Sequence, residues 1–383
     1  MSRWPMRPRM LWNMRVDWAA IREEFPSLKQ WTFLNTAAFG QLPRRAVEAT
    51  ANHYQHRDEL ACSDFLEWYD DADRLRETVA RLISASAEDI AFLPNSSTAL
   101  SLLIGGLDWK PGDRVVTLSG EFPNNIYHPS MLSEKGVEFI EVSWNILPSA
   151  VTPNTRLVVM SSVNYATGFR APFEEIVPLL RERGVLLYVD GTQSLGALEM
   201  DVSVAGPDML AVHGYKWLLS PTGASFVYVR PELRAKLAPN IVGWRSHFDW
   251  RNVNHLHHGK PEFKDDAEKY EGGMLAFPLL YAMEASIQMM LEIEPPVIEF
   301  RVLALADQCR ERLRRLGAEI CSENSAIVTA KFEGRDAGAL SLALQKRGIQ
   351  VSARHGNLRV STHFYNNAAD LEKLETELKD LLK

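Results

Sequence analysis

In "HGYKWLLSPTG", residues 213–223, one lysine stands between an apolar run, Met209 to Val212, and Trp217-Leu218-Leu219. An ammonium held in apolar surroundings loses hydration, and its pKa falls. A desolvated lysine amine is a nucleophile suited to Schiff-base chemistry, which makes Lys216 the first catalytic candidate. His213 and Tyr215 stand beside it as donors to an anion. In "LLYVDGTQSLG", Asp190 closes an apolar run at a place where a carboxylate is tolerated if it meets a cation or a donor. The same position also suits a structural cap; Gln193 lies three residues on. In "LPNSSTALSLL", Ser96, Ser97 and Thr98 precede an apolar helical run. Their hydroxyls and the free N–H groups of a helix start make a phosphate site, and equally a plain N-cap. Phe122 in "GEFPNN" follows the strand-like "DRVVTLS", where its ring either lies over a planar ligand or joins the core.

These residues need elements that bring them together. Between about 85 and 230, "DRVVTLS", "GVEFIEVS", "TRLVVMSSV", "GVLLYVDG", "DMLAVHG" and "GASFVYVR" read as strands, alternating with helical patterns at 97–106, 125–135 and 173–183. Several runs are apolar at nearly every position, which predicts strands covered on both faces, as in a mostly parallel sheet flanked by helices. Each candidate falls on a loop expected to follow a strand, and open α/β sheets bind ligands beyond the carboxyl ends of their strands. Residues 240–275 are polar, His-rich and aperiodic, an excursion before a helix at 278–292. Pro295-Pro296 break the chain, a helical pattern runs to about 316, and a small α/β unit follows with helices at 336–347 and 368–382. The expected division is an N-terminal arm and first helix over 1–29, partly disordered, a large domain over 30–275, and an interdomain helix with a small C-terminal domain over 276–383.

A Schiff-base lysine, a carboxylate for a pyridinium nitrogen, a phosphate-binding helix start and a stacking ring are together what pyridoxal phosphate requires. Composition sets the bounds around that chemistry. The 383 residues, 46% of them hydrophobic, suffice for a substantial core. A net charge of −7 leaves no broad basic footprint for nucleic acid or an anionic membrane, and no stretch approaches the roughly 20 apolar residues of a membrane span. Cys62, Cys309 and Cys321 show no CxxC spacing, which fits a reducing, cytoplasmic compartment. His255, His257 and His258 in "HLHHG" lack obvious carboxylate partners, so no metal is expected. Trp244, Arg245, His247 and Trp250 either reach a substrate or pack a loop, and Arg354 and His355 either meet a second substrate anion or stay at the surface.

"YVDGTQSLG", "HGYKWLLSPTG" with its lysine 26 residues after the aspartate, and "GNLRVSTHFYNNAADLEKL" together resemble the class-V aminotransferase family of fold-type-I pyridoxal phosphate enzymes. The similarity runs from "WTFLNTAAFGQLP" to the C-terminus. It implies a homodimer with pyridoxal 5'-phosphate held on Lys216, which also moves the substrate α-proton. Asp190 would keep the pyridine nitrogen protonated, Gln193 would bond the ring 3-oxygen, and Phe122 would stack on the ring. Ser97, Thr98, His213 and Tyr215 would bind phosphate, and Arg359 the substrate α-carboxylate, for which a planar fork is suited. Tyr165 stands where desulfurases often have asparagine, leaving Asn164 as the substrate-binding candidate. Cysteine desulfurases carry a nucleophilic cysteine shortly before that arginine, whereas "VSARHGNLR" has none. Phe122 replaces their histidine, as in the kynureninase and epimerase branches, and Met274 replaces a threonine common in a segment that crosses to the neighbouring subunit's phosphate. The reaction implied is class-V transamination of an amino acid; the alternatives are a C–S or C–Se lyase needing no protein cysteine, an epimerase of the isopenicillin-N type, and a degenerate cofactor-binding protein.

Overall fold

The computed structural model describes residues 16–321 and 324–383. The arm expected before Val16 lies outside the described residues. Strands follow in chain order as β1 (Thr32–Phe33), β2 (Ile90–Leu93), β3 (Arg114–Leu118), β4 (Glu138–Val142), β5 (Thr155–Ser161), β6 (Leu186–Asp190), β7 (Met209–His213) and β8 (Ser225–Val229). The C-terminal part adds β9 (Glu319–Ile320), β10 (Ile327–Lys331), β11 (Ile349–Gln350), β12 (Ser352–Arg354) and β13 (Asn357–Ser361).

Seven strands form the central sheet in the order β2-β8-β7-β6-β5-β3-β4. Every neighbouring pair from β4 to β7 is parallel, and β8 runs antiparallel to both β7 and β2. The continuous apolar runs have a direct cause. On β5, Val158 and Met160 enter one hydrophobic cluster while Leu157 and Val159 enter another, and β7 divides Leu210 and Val212 from Met209 and Ala211 in the same way. Successive side chains leave opposite faces of a strand, so a sheet buried on both faces needs apolar residues throughout. The edge strand β4 has no neighbour beyond it, and its residues stay half-buried or exposed.

Helices form where expected, at Ser96–Gly106, Asn124–Met131, Phe173–Glu182, Phe277–Ile293, Pro295–Arg315, Ala337–Lys346 and Ala368–Leu381. Pro295 ends nothing within a helix; it opens the next one, where a missing N–H is no loss. None of the helices among the described residues is long and apolar enough to cross a membrane. The four-stranded sheet, β12-β13-β10-β9, is antiparallel. β1 pairs in parallel with β11, and Leu34 packs with Val328, Val360 and Leu371, so the start of the expected large domain joins the C-terminal unit. Arg22 reinforces that junction by bonding Asp370 and the Tyr365 carbonyl, both at 2.8 Å.

Residues 240–275 carry only short helical turns, yet their end is anchored by buried charge. Glu271 accepts from Arg76, from Arg245 at 3.0 Å and from the Phe92 N–H at 2.8 Å. The Arg245 guanidinium also lies against Tyr69 and Trp250, at 4.5 and 4.6 Å from the ring centroids. Arg245 and Trp250 therefore pack the loop. Removing one member of such a group leaves buried charge less well compensated, although Arg76 keeps Asp73 and Arg245 keeps Glu268. Glu271→Ala is expected to destabilise the fold by about 3–5 kcal/mol in urea unfolding, because two buried guanidinium groups lose their shared carboxylate.

Candidate active site

β3, β5, β6 and β7 point their carboxyl ends the same way, and the strand order reverses between β3's neighbours, with β4 on one side and β5 on the other. Crevices at such reversals are where open α/β sheets hold ligands. Asp190 is the last residue of β6, and the loops that leave the other three ends carry Phe122, Tyr165 and Lys216.

The Lys216 loop is fixed through its backbone. Trp217, Leu218 and Leu219 are buried at 0–1% exposure and pack the loop into the core. A methyl group on Gly40 would stand 1.9 Å from the Lys216 carbonyl oxygen, and one on Gly196, at φ +103°, would stand 2.2 Å from that of Trp217. Only glycine lets two other segments come so near. The Gly40 N–H donates to the Tyr215 carbonyl at 2.8 Å, His363 Nε2 to that of Trp217 at 2.8 Å, and Ser286 Oγ to that of Leu219 at 2.8 Å. Leu219 sits at φ +54°, a left-handed conformation that these contacts hold in place.

The amine of Lys216 lies 5.6 Å from the Phe122 ring centroid and 5.3 Å from that of Tyr215. Burial pulls its pKa down to about 8 against the opposing charge of Asp190, and the nearby Arg359 and Arg354 lower it further. A shift of that size amounts to about 3 kcal/mol against the charged form. Below about pH 8 the amine is protonated and cannot attack a carbonyl. The apoprotein should therefore capture pyridoxal phosphate about tenfold faster per pH unit up to about 8 and then level off, whereas an ordinary lysine would keep accelerating beyond pH 10. Stopped-flow absorbance across pH 6–10 checks this.

Asp190 ends β6 with its side chain buried, and Oδ1 accepts the Thr192 N–H at 2.9 Å. Thr192 Oγ1 accepts the His213 N–H at 3.1 Å and so ties the aspartate loop to the lysine loop. His213 Nε2 accepts the Gly223 N–H at 3.2 Å, and burial pulls the ring down to about 4. That ring is neutral, with Nδ1–H left as its donor. Phe122 is 43% exposed, with one edge against Tyr165 at 5.2 Å between centroids; it belongs to the cleft and not to the core.

Arg359 lies on β13 and is 1% exposed. Its Nε donates to Ser352 Oγ at 3.1 Å and Nη1 to the Tyr165 carbonyl at 2.6 Å, while Nη2 is buried with no partner. Burial, with Arg354 beside it, brings the guanidinium down to about 9, still charged at neutral pH. A buried N–H left unmatched fits an acceptor brought by a ligand.

Other expected residues are partly spent on the protein itself. Asn95, not the serines, caps the helix; its Oδ1 takes both the N–H and the hydroxyl of Thr98, so Thr98 completes the cap and Ser97 is left exposed. Gln193 donates to the Ala37 carbonyl at 3.1 Å and accepts from the Trp217 indole at 2.9 Å, which leaves one amide hydrogen. Asn164 is engaged by its own turn: its oxygen accepts from the Ala166 and Thr167 N–H groups and the Thr167 hydroxyl, and its nitrogen donates to the Gly120 carbonyl. Tyr165, one residue on, stands edge-on to Phe122 and bonds His355 Nε2 through its hydroxyl. Met274 is 64% exposed and receives the Tyr69 hydroxyl on its sulfur at 3.0 Å.

Sequence reasoning missed Glu121. Its buried carboxylate takes the Ser161 N–H at 2.7 Å, the Ser161 hydroxyl at 2.6 Å, Asn125 Nδ2 at 3.0 Å and the Phe122 N–H at 3.2 Å, clamping the loop after β3 to the end of β5. The signal lay in "GEFPNN", but an acid in a turn gains meaning only once β5 is known to lie beside β3.

The family model for class-V aminotransferases matches residues 32–374. The chain belongs to the class-V aminotransferase family. Pyridoxal 5'-phosphate is the cofactor of that family and of this chain. Among class-V relatives, a protein of Methanothermobacter thermautotrophicus described as a probable cysteine desulfurase is 25% identical, with 94% of this chain and 97% of its own aligned. The uncharacterized aminotransferase YcbU of Bacillus subtilis is 26% identical, covering 93% of this chain and 96% of its own. The cystine C–S lyase C-DES, solved with its product cysteine persulfide, has the same fold, with a TM-score of 0.87 at 22% identity over 93% of this chain and 99% of that one.

Proposed function

We propose that this class-V enzyme is an aminotransferase that carries pyridoxal 5'-phosphate on Lys216. The observation that carries this reading is the Lys216 amine, buried and brought down to about 8, facing the half-exposed ring of Phe122. The residues present fit the cofactor. Phe122 offers a ring face, Asp190 a carboxylate for the pyridine nitrogen, and Gln193 one amide hydrogen for the ring 3-oxygen. Ser97, the helix start at Ser96, His213 Nδ1–H and the Tyr215 hydroxyl supply the phosphate donors.

When bound, pyridoxal phosphate supplies a sink for the electron pair left on the substrate α-carbon. Lys216 would hold and move the proton: burial draws its amine down to about 8, nearer to working pH than an ordinary lysine, so it exchanges a proton with the substrate α-carbon more readily. Arg359 orients the substrate, because its unmatched Nη2–H and the adjacent Nη1–H form a fork for the α-carboxylate. Asp190, with its side chain buried at the end of β6, would offer its carboxylate to the protonated ring nitrogen. The enzyme works as a homodimer, a reading supported by large apolar side chains left exposed: Phe39, which packs on Tyr215 at 5.1 Å, and Trp244 and Met274, which both lie against Tyr69.

A C–S lyase is the second reading, favoured by relatives described as cysteine desulfurases; Ser352–Arg359 contains no cysteine, so it would work without a protein persulfide. A screen of the purified holoenzyme against amino acids separates the two. Transamination predicts that a matched donor, from a panel including L-glutamate and L-alanine, converts the cofactor spectrum to that of pyridoxamine phosphate and yields the keto acid. Release of pyruvate and sulfur species from cystine, with no donor producing pyridoxamine phosphate, would replace it by the lyase.

A further inference from the structure

Arg354 is the second guanidinium of the cleft. The β12–β13 register sets Ser352 against Arg359 and Arg354 against Asn357, so all four side chains leave the same face of the small sheet. That face meets the loop after β5: Thr329, opposite Arg359 on β10, donates to the Ala166 carbonyl at 2.8 Å, and Arg359 reaches the Tyr165 carbonyl. The turn between the strands is His355-Gly356, at φ +47° and +78°, the positive-φ pair that a tight hairpin requires. His355 Nε2 lies 2.8 Å from the Tyr165 hydroxyl, which pins the hairpin tip to the cleft wall. Arg354 is close enough to Lys216 and Arg359 to lower the pKa of both. Its Nη1 donates to the Ala353 carbonyl at 2.7 Å, and it pairs with no carboxylate among the described residues.

A substrate α-carboxylate matches Arg359 and leaves Arg354 half-buried and uncompensated, an arrangement that costs stability unless an anion arrives. Resting on the aminotransferase reading above, we propose that Arg354 binds a second carboxylate on the substrate side chain, so that the amino donor is a short acidic amino acid. Arg354 and Arg359 are diagonal neighbours on paired strands, with Cα atoms about 7–8 Å apart. Their forks can close on the two carboxylates of a four- or five-carbon diacid, with the hairpin fixed beforehand. Arg354 touches the substrate only through its charge and does none of the chemistry; it sets specificity.

Two measurements on the holoenzyme test this. In half-reaction kinetics, L-aspartate or L-glutamate should exceed L-norvaline in kcat/KM by about 100-fold or more, and Arg354→Gln should cut that acidic-to-neutral ratio by about 30-fold, with Arg354→Lys restoring part of it. In calorimetry, glutarate should bind at least about 10-fold more tightly than butyrate, and Arg354→Gln should remove the difference. If Arg354→Gln fails to fold, the wild-type comparison of glutarate with butyrate decides. Equal binding of the two acids, an unchanged ratio in the variant, or a preference for cystine over every acidic amino acid overturns the proposal. Neutral donors reacting as fast as acidic ones would sink the subsite and leave the aminotransferase standing. Arg354-dependent glutarate binding with no donor reacting would do the reverse.

Discussion

Lys216→Ala is expected to lower turnover with the best amino donor by about 10⁴-fold or more and to abolish covalent retention of the cofactor. Two contributions disappear together, the nucleophile that anchors the cofactor and the base that moves the α-proton; a positioned base alone is worth about 10²–10⁴-fold. The loop should survive the change. Gly40, Gly196, His363 and Ser286 hold it through the backbone of residues 215–219, and none of those contacts uses the lysine side chain. A thermal melt close to that of the wild type, together with partial rescue by a small primary amine entering the space left behind, separates lost chemistry from lost folding. Retention of more than about a hundredth of wild-type turnover would assign the base elsewhere.

Asp190→Asn should slow the half-reaction by about 10²–10³-fold while leaving the fold intact. Asparagine keeps an oxygen for the Thr192 N–H and differs mainly in charge. Without that charge the ring nitrogen is no longer held protonated, and the electron sink weakens. A second readout distinguishes this from local damage. Asp190 is the group that pushes the Lys216 pKa upward, so its neutralisation should move the apparent pKa of cofactor capture down from about 8. An unchanged capture profile would mean that the carboxylate does not face the amine.

Lys216, Asp190 and Phe122 could be singled out because each lies at or after an apolar run read as a strand; local sequence still left Asp190 open between a cap and a site residue, and Phe122 between a ligand and the core. The parallel sheet was legible for the same reason, since two-sided burial leaves no polar phase along β5 or β7. Arg359 was not accessible that way: "NLRVS" is an ordinary short strand, and only its resemblance to a known family pointed to the arginine. Residues that act through topology were out of reach. Glu121 matters because β5 lies beside β3, Gly40 and Gly196 because two distant loops meet the carbonyls of Lys216 and Trp217, and Thr32–Phe33 because they pair with a strand more than 300 residues away. Local chemistry also competed with the site. Asn95 captured Thr98 for a cap, and the turn after β5 captured Asn164, since short polar side chains bond the nearest backbone first.

Attachment of the cofactor to Lys216 can be read out by borohydride reduction of the holoenzyme followed by peptide mass mapping. One pyridoxyl group is expected, carried by the peptide that contains "HGYKWLLSPTG" and located on Lys216. A pyridoxyl group on any other lysine, or a reduced protein carrying none, would contradict it.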